Sequence, residues 1–230
     1  MKFAIRLAIA ALLLPAHALA SDYAALLDDA AAALDDDYMS DWAFTETSAD
    51  SEITTVARYH PARPGNERWN LLTVNGHPPT DKEVAAFRED KAGEDPGNND
   101  DDRDNDVEEM VQPDSLSLIE ETDEHWLFSF SPSEDEDDEG FLKHVDATLK
   151  IVKHGPYIEF ISLRSNKPFK PRFGVKISEL VTHLSFGPAA AGGPIVPESV
   201  DIRVRARAFL AIGIDETVSI SFSDYEYVGD

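Results

Sequence analysis

The side chains of this 230-residue chain that could do chemistry are chiefly carboxylates and histidines. Asp100, Asp102, Asp104 and Asp106 alternate along one stretch, and hard oxygen ligands suit calcium. Aligned as a calcium-binding loop from Asn98, the stretch puts Asp100, Asp102 and Glu109 at ligand positions. Arg103, however, stands where the sharp turn requires glycine, and no helical pattern flanks the loop. That excludes an EF-hand and leaves loose calcium association with a solvated charge run. His60, His77, His125, His144, His154 and His183 are scattered, with no pair at the helical two-histidine spacing of a zinc site. His144 and His154 alone could approach one another, across a hairpin turning near Gly155. The chain has no cysteine, which excludes disulfides, thiolate metal sites and cysteine nucleophiles. It has no G-x-S-x-G elbow and no phosphate-cradling glycine loop. With so many acids, two carboxylates become neighbours by chance, so pairing alone does not indicate acid–base catalysis. The expectation is a non-enzymatic protein with no cofactor and no defined metal site.

Charge sets further bounds. Lys and Arg number 20 against 45 Asp and Glu, a net charge of −25, while 42% of residues are hydrophobic. That hydrophobic content supports a packed core and excludes wholesale disorder. The acidity argues against nucleic acid, which needs a basic footprint. The charge is unevenly placed. Residues 21–142 carry 7 bases and 35 acids, whereas residues 143–207 carry 11 bases and 5 acids. Arg164, Lys167, Lys170, Arg172 and Lys176 flank one bend, and Arg203, Arg205 and Arg207 line one strand face. These arginines either balance the acidic half internally or present a basic surface to anionic lipid headgroups or an acidic partner.

The elements that must position these groups follow from patterning. Lys2 and Arg6, the apolar run Leu7–Leu14 and the small-x-small end Ala18-Leu19-Ala20 predict a signal peptide over residues 1–20, cut after Ala20. No run is long enough to span a bilayer as a helix. A soluble, monomeric protein exported to a bacterial periplasm is expected, with residues 21–230 as a single domain. Tyr23, Leu26, Leu27, Ala30, Ala31 and Leu34 predict an amphipathic helix over 22–37. Strands are expected at 41–47, 53–59 and 68–74, the last ending at the turn Asn75-Gly76. Thr80 and Glu83 form a capping box for a helix that turns Val84 and Phe87 inward and fades near Gly93.

Two acidic loop inserts, at about 94–112 and 132–140, cannot bury enough apolar surface to offset their ordering entropy. Between them Trp126, Phe128 and Phe130 alternate on one strand face; they are either ordinary core or the lining of a ligand cavity. From Phe141 onward a succession of alternating strands ends at Val218, Ile220 and Phe222. The fold class is α+β, a curved antiparallel sheet with helices packed on one face.

The signal peptide, amphipathic first helix, long meander and closing Ser219-Ile220-Ser221-Phe222-Ser223-Asp224-Tyr225 resemble the outer-membrane lipoprotein-sorting (LolA/LolB-like) superfamily. Arg68–Gly76 followed by Pro78-Pro79-Thr80 also resembles exported bacterial proteins of unknown function. The superfamily resemblance implies an incomplete β-barrel over helices, holding acyl chains in the apolar space between them. The acidic inserts depart from its pattern, and it assigns no individual binding residue. Two functions follow as expectations. One is binding of an apolar or lipidic ligand between sheet and helices. The other is an envelope protein-interaction module whose acidic loops contact a partner or calcium. A lined apolar cavity favours the first, and a filled core with an exposed apolar patch favours the second.

Overall fold

The computed structural model describes residues 16–35, 37–92, 110–133, 142–171, 173–209 and 212–229. The start of the chain, the acidic runs 94–109 and 134–139 and the aspartates spaced for calcium lie outside them. Within them, period-two alternation produces ten strands. These are β1 (Trp42–Ala49), β2 (Thr54–Tyr59), β3 (Trp69–Val74), β4 (Ser117–Glu121), β5 (His125–Phe130), β6 (Val145–Val152), β7 (Tyr157–Ser165), β8 (Val175–Pro188), β9 (Ile195–Ala208) and β10 (Ile212–Tyr227). All pair antiparallel in one open sheet of order β3-β2-β1-β10-β9-β8-β7-β6-β5-β4. The sheet is two meanders, β1–β3 and β4–β10, joined where β1 pairs with β10. With its few helices the chain is α+β.

The helices are α1 (Ala16–Ala31), α2 (Tyr38–Asp41) and α3 (Asp81–Ala92). The first therefore ends six residues before the expected Asp37. Its last turn holds no base, and the Asp35-Asp36-Asp37 run that follows would set negative charge on the negative end of the helix dipole. The chain leaves the helix instead: Leu34 bridges Ile195, and the Asp35 N–H donates to the Ile195 carbonyl at 2.8 Å. The start of α3 is as expected. The Thr80 N–H and hydroxyl each donate to Glu83 Oε2 at 2.7 Å, and the Glu83 N–H reaches Thr80 Oγ1 at 3.4 Å. Val84 and Phe87 turn toward the sheet. At Asn75-Gly76 both φ angles are positive, 49° and 76°, so the sharp turn suits this dipeptide.

Register shows that both cores lie on one face. Ile161 opposes Leu184, Leu184 opposes Val200, Val200 opposes Ile220, and Ile220 opposes Ser48 in β1. At one end α1 covers β5–β7, burying Leu27 and Ala30 among Phe128, Leu149, Ile151, Ile158 and Ile161. At the other end α2 and α3 flank a core of Phe44, Ala57, Tyr59, Trp69 and Leu71. Met110 and Val111, at the margin assigned to the first acidic insert, belong to the first core, where Val111 bridges Pro132. The margins of both acidic runs are thus tied together.

Glu46 points from β1 into the second core and is 6% exposed. Its two oxygens lie 3.2 Å from Lys91 Nζ, and that ammonium sits 4.6 Å from the Trp69 ring centroid. The last turn of α3 is thereby clamped to the sheet. Beside it the Tyr38 hydroxyl is pushed up to about 12, by burial first and then by the charges of Glu46 and Tyr59. Burial also pushes the Tyr225 hydroxyl up, and it donates to the Pro197 carbonyl at 2.7 Å.

Two predictions follow from this corner. Lys91→Ala removes one partner of a buried pair and should cost about 3 kcal/mol in urea unfolding. The double change Glu46→Gln with Lys91→Met should cost clearly less. Tyr38 stays protonated in the folded chain while the unfolded chain ionises, so its contribution is complete below pH about 10 and is lost as pH rises toward 12. Melting temperature measured across that window should fall less steeply in Tyr38→Phe than in the wild type.

Candidate functional site

Strands β8, β9 and β10 are the longest of the sheet and occupy its middle. Their pairing stacks residues in rows across the face that carries the helices. Leu184, Val200 and Ile220 form one row; Thr182, Ile202 and Val218 form the next. Leu180, Val204 and Glu216 follow, then Ile177, Ala206 and Ile214, and finally Val175, Ala208 and Ile212. The face is apolar except for Thr182 and the single carboxylate of Glu216. None of these side chains is buried. At the level of Phe186 and Phe222 the face is covered, because these two rings pack against the two cores. Beyond them the strip residues are partly exposed, and at its edge the buried Phe169 is bridged to Ile177. At about 3.3 Å per residue and 4.8 Å per strand the strip runs roughly 26 Å by 10 Å.

The opposite face is polar and partly paired. Arg205 lies between Glu179 and Asp215 in register, with Nη1 3.1 Å from Glu179 and Nε 3.2 Å from both Asp215 oxygens. Ser219 donates to Asp201 at 2.5 Å, and the Ser185 and Ser199 hydroxyls meet at 2.8 Å. Arg203, Arg205 and Arg207 do share this face. Arg205 balances internal acids, while Arg207 lies beside Lys176 and Gly213, with no ion-pair partner among the described residues.

The aromatic strand lies elsewhere. Phe128 is fully buried, edge-on to Tyr23 at 5.0 Å. Trp126 flanks the same core, with the Lys153 ammonium 4.5 Å from its ring centroid. Phe130 is 7% exposed and borders a depression of about 360 Å³ whose lining includes Ser129, Ser131, Lys143, Asp146 and Asn166. That depression is lined by polar and apolar side chains alike, and the space beneath α1 is filled by side chains. The aromatic pattern identified buried strand positions. It did not reveal the strip, whose signal was the length of the alternating segments that became β8–β10.

His144 and His154 do not meet. They flank β6 at opposite ends, eight residues of extended chain apart, or roughly 26 Å. His144 instead packs its ring on Phe169 at 5.1 Å. Among the described residues no cluster of three or more His, Asp or Glu could hold a metal ion, and no helix is long and apolar enough to cross a membrane.

The contrast between filled core and open strip is measurable. Phe128→Ala should cost about 3–5 kcal/mol in chemical unfolding, the range for emptying a large aromatic site. Ile202→Ser, at a partly exposed position, should cost less than about 1 kcal/mol. A comparable loss at Ile202 would mean that the strip is covered.

No family model, curated protein or solved structure matches this chain.

Proposed function

We propose that the protein is an exported, non-enzymatic periplasmic binding protein that holds the acyl part of a lipidic ligand on the open strip of β8–β10. One observation carries the reading: a sheet face that is apolar in its middle apart from Thr182 and Glu216 meets the helix-bearing cores at its two ends. The partly exposed apolar strip is where a ligand would gain most by displacing water, at about 25 cal/mol per Å² of apolar surface covered. The strip's length exceeds the roughly 15 Å of one bilayer leaflet's hydrocarbon, so a single acyl chain lying along β9 fits within it. An incomplete β-barrel that wraps such a chain is the layout implied by the lipoprotein-sorting resemblance. Glu216 would sit beside the chain, and the polar back face keeps the strands in register without using the apolar side.

A second reading draws on the filled core beneath α1. The apolar area is a surface and not an enclosed cavity, which suits an apolar segment of an envelope protein partner.

Native mass spectrometry of the protein purified from its own periplasm tests the first reading, with copurified lipid as the expected result. A fluorescent fatty-acid probe should bind the purified chain, and Ile202→Glu should weaken that binding at least about ten-fold by placing a charge in the apolar row. A bare mass, together with probe binding unchanged by Ile202→Glu, would overturn the lipid reading and favour the protein partner.

A further inference from the structure

The far end of β8–β10 projects beyond its neighbours. The ladder of β7 on β8 ends where Arg164 opposes Val181, and β1 ends opposite Ser219 of β10. Residues 175–180, 204–208 and 212–218 therefore extend as an arm past both flanking strands, its β8 edge held by the Phe169–Ile177 bridge and by the Leu180 N–H donating to Ser165 Oγ at 2.9 Å. At its tip stand Phe173, 97% exposed, Phe209, 70% exposed, and Ile212, 59% exposed. These are the three most exposed large apolar side chains among the described residues.

The tip is built, not frayed. The Phe209 N–H donates to the Gly174 carbonyl at 2.7 Å, tying the β7–β8 connection to the end of β9. Gly174 has φ +81°, and a Cβ there would stand 2.9 Å from the Phe209 ring, so glycine is needed on both counts. Phe209 itself holds φ +47°, a costly conformation for a bulky residue. Backbone strain and a hydrogen bond thus keep an aromatic ring in the solvent.

The charge around the tip is opposite to that of the molecule. At the tip the charged side chains of described residues are Lys170, Lys176 and Arg207, in a chain of net charge −25, and the first acids, Glu179, Asp215 and Glu216, stand in the rows behind them. Lys176 and Arg207 stand directly opposite one another, a like-charge pairing that weakens a sheet unless an anion offsets it. The nearest carboxylates along the arm, Glu179 and Asp215, are occupied by Arg205. Lys170 follows the Phe169–Ile177 bridge beside β8 and, like Lys176 and Arg207, has no ion-pair partner among the described residues.

We propose that this tip docks on an anionic phospholipid bilayer, with Phe173, Phe209 and Ile212 entering the interface and Lys170, Lys176 and Arg207 meeting the headgroups. Exposed aromatics ringed by bases match the two layers of such a surface: an apolar boundary beneath fixed negative charge. The bases act locally, because at physiological salt screening limits the repulsion from the acidic half to roughly 8 Å. The inference does not require the strip to hold a ligand.

The test is flotation of the full chain with mixed phosphatidylcholine–phosphatidylglycerol vesicles and with pure phosphatidylcholine vesicles. The protein should float with the anionic vesicles only and should release at about 1 M salt, where the screening length is about 3 Å. The triple variant Lys170→Gln, Lys176→Gln, Arg207→Gln should lose about 100-fold in partitioning, at roughly five-fold per base. Phe173→Ser should lose about ten-fold with its melting temperature unchanged, since that ring touches little else. Ile202→Glu, which targets the strip, should float like the wild type, so failure of the ligand reading and failure of this one are separable. No flotation, equal flotation on neutral vesicles, or flotation indifferent to both tip variants would overturn the proposal. Concentration-dependent dimerisation that Phe173→Ser abolishes, in a protein that does not float, would overturn it in favour of self-association.

Discussion

The pairing of β1 with β10 is the interaction on which the architecture depends. Without it the chain would hold two separate meanders, each with two free edges and each with its own small core. The joint is well secured. Arg58 reaches across from β2, donating to the Asp224 carbonyl at 2.7 Å and to Glu226 at 3.1 Å. Aromatic side chains of the two strands interleave: Phe44 meets Phe222 and Tyr225, and Trp42 meets Tyr225 and Tyr227, with centroids 5.2–6.3 Å apart. Residues 160 or more apart in sequence are brought together here, so this contact is among the last that chain connectivity alone could supply.

Joining the meanders at that point leaves β8, β9 and β10 in the middle of the sheet, between two helix-covered ends. The helices are tied down near the ends of the sheet: the chain after α1 bridges through Leu34 and Asp35 to the start of the central strand β9, and α3 follows the outer strand β3 after the Asn75-Gly76 turn. None of the three reaches the centre. The central strands are also the longest, so among the described residues their far halves have no helix element above them and only the Phe169–Ile177 bridge beside them. They are held by their own ladder and by the polar network of Arg205, Glu179, Asp215, Asp201 and Ser219 on the back. Stability on one face leaves the other free for binding. The proposed ligand strip and the proposed membrane-docking tip adjoin one another along β8–β10.

Much of this was legible in the sequence because local rules sufficed. The capping box at Thr80 and Glu83, the Asn75-Gly76 turn and the strands around Trp126, Val145 and Val200 depend on residues within a few positions of one another. The boundary of α1 was misread, because apolar spacing continued through Leu34 while the dipole and the bridge to Ile195 ended the helix earlier. Strand β4 went unread: as an edge strand with only Leu118 shielded, it carries no clear period of two. The connection at Gly187–Pro197 reads as a loop because of its glycines and prolines, yet β8 and β9 extend into both of its ends.

By itself, the sequence determined the class of the protein: alternating strands with few helices, one polar and one apolar side to each late strand, and basic residues segregated from acidic ones. Those properties depend on period and composition, which a one-dimensional string carries in full. Only the tertiary structure decided which apolar faces are buried. Phe128 and Ile202 occupy the same kind of position in the same kind of strand, yet one lies beneath α1 and the other faces open space. Likewise Arg205 and Arg207 are identical in pattern, and only register sets Glu179 and Asp215 beside one and Lys176 and Gly213 beside the other. Burial and pairing are properties of neighbours across strands, and those neighbours are chosen by topology.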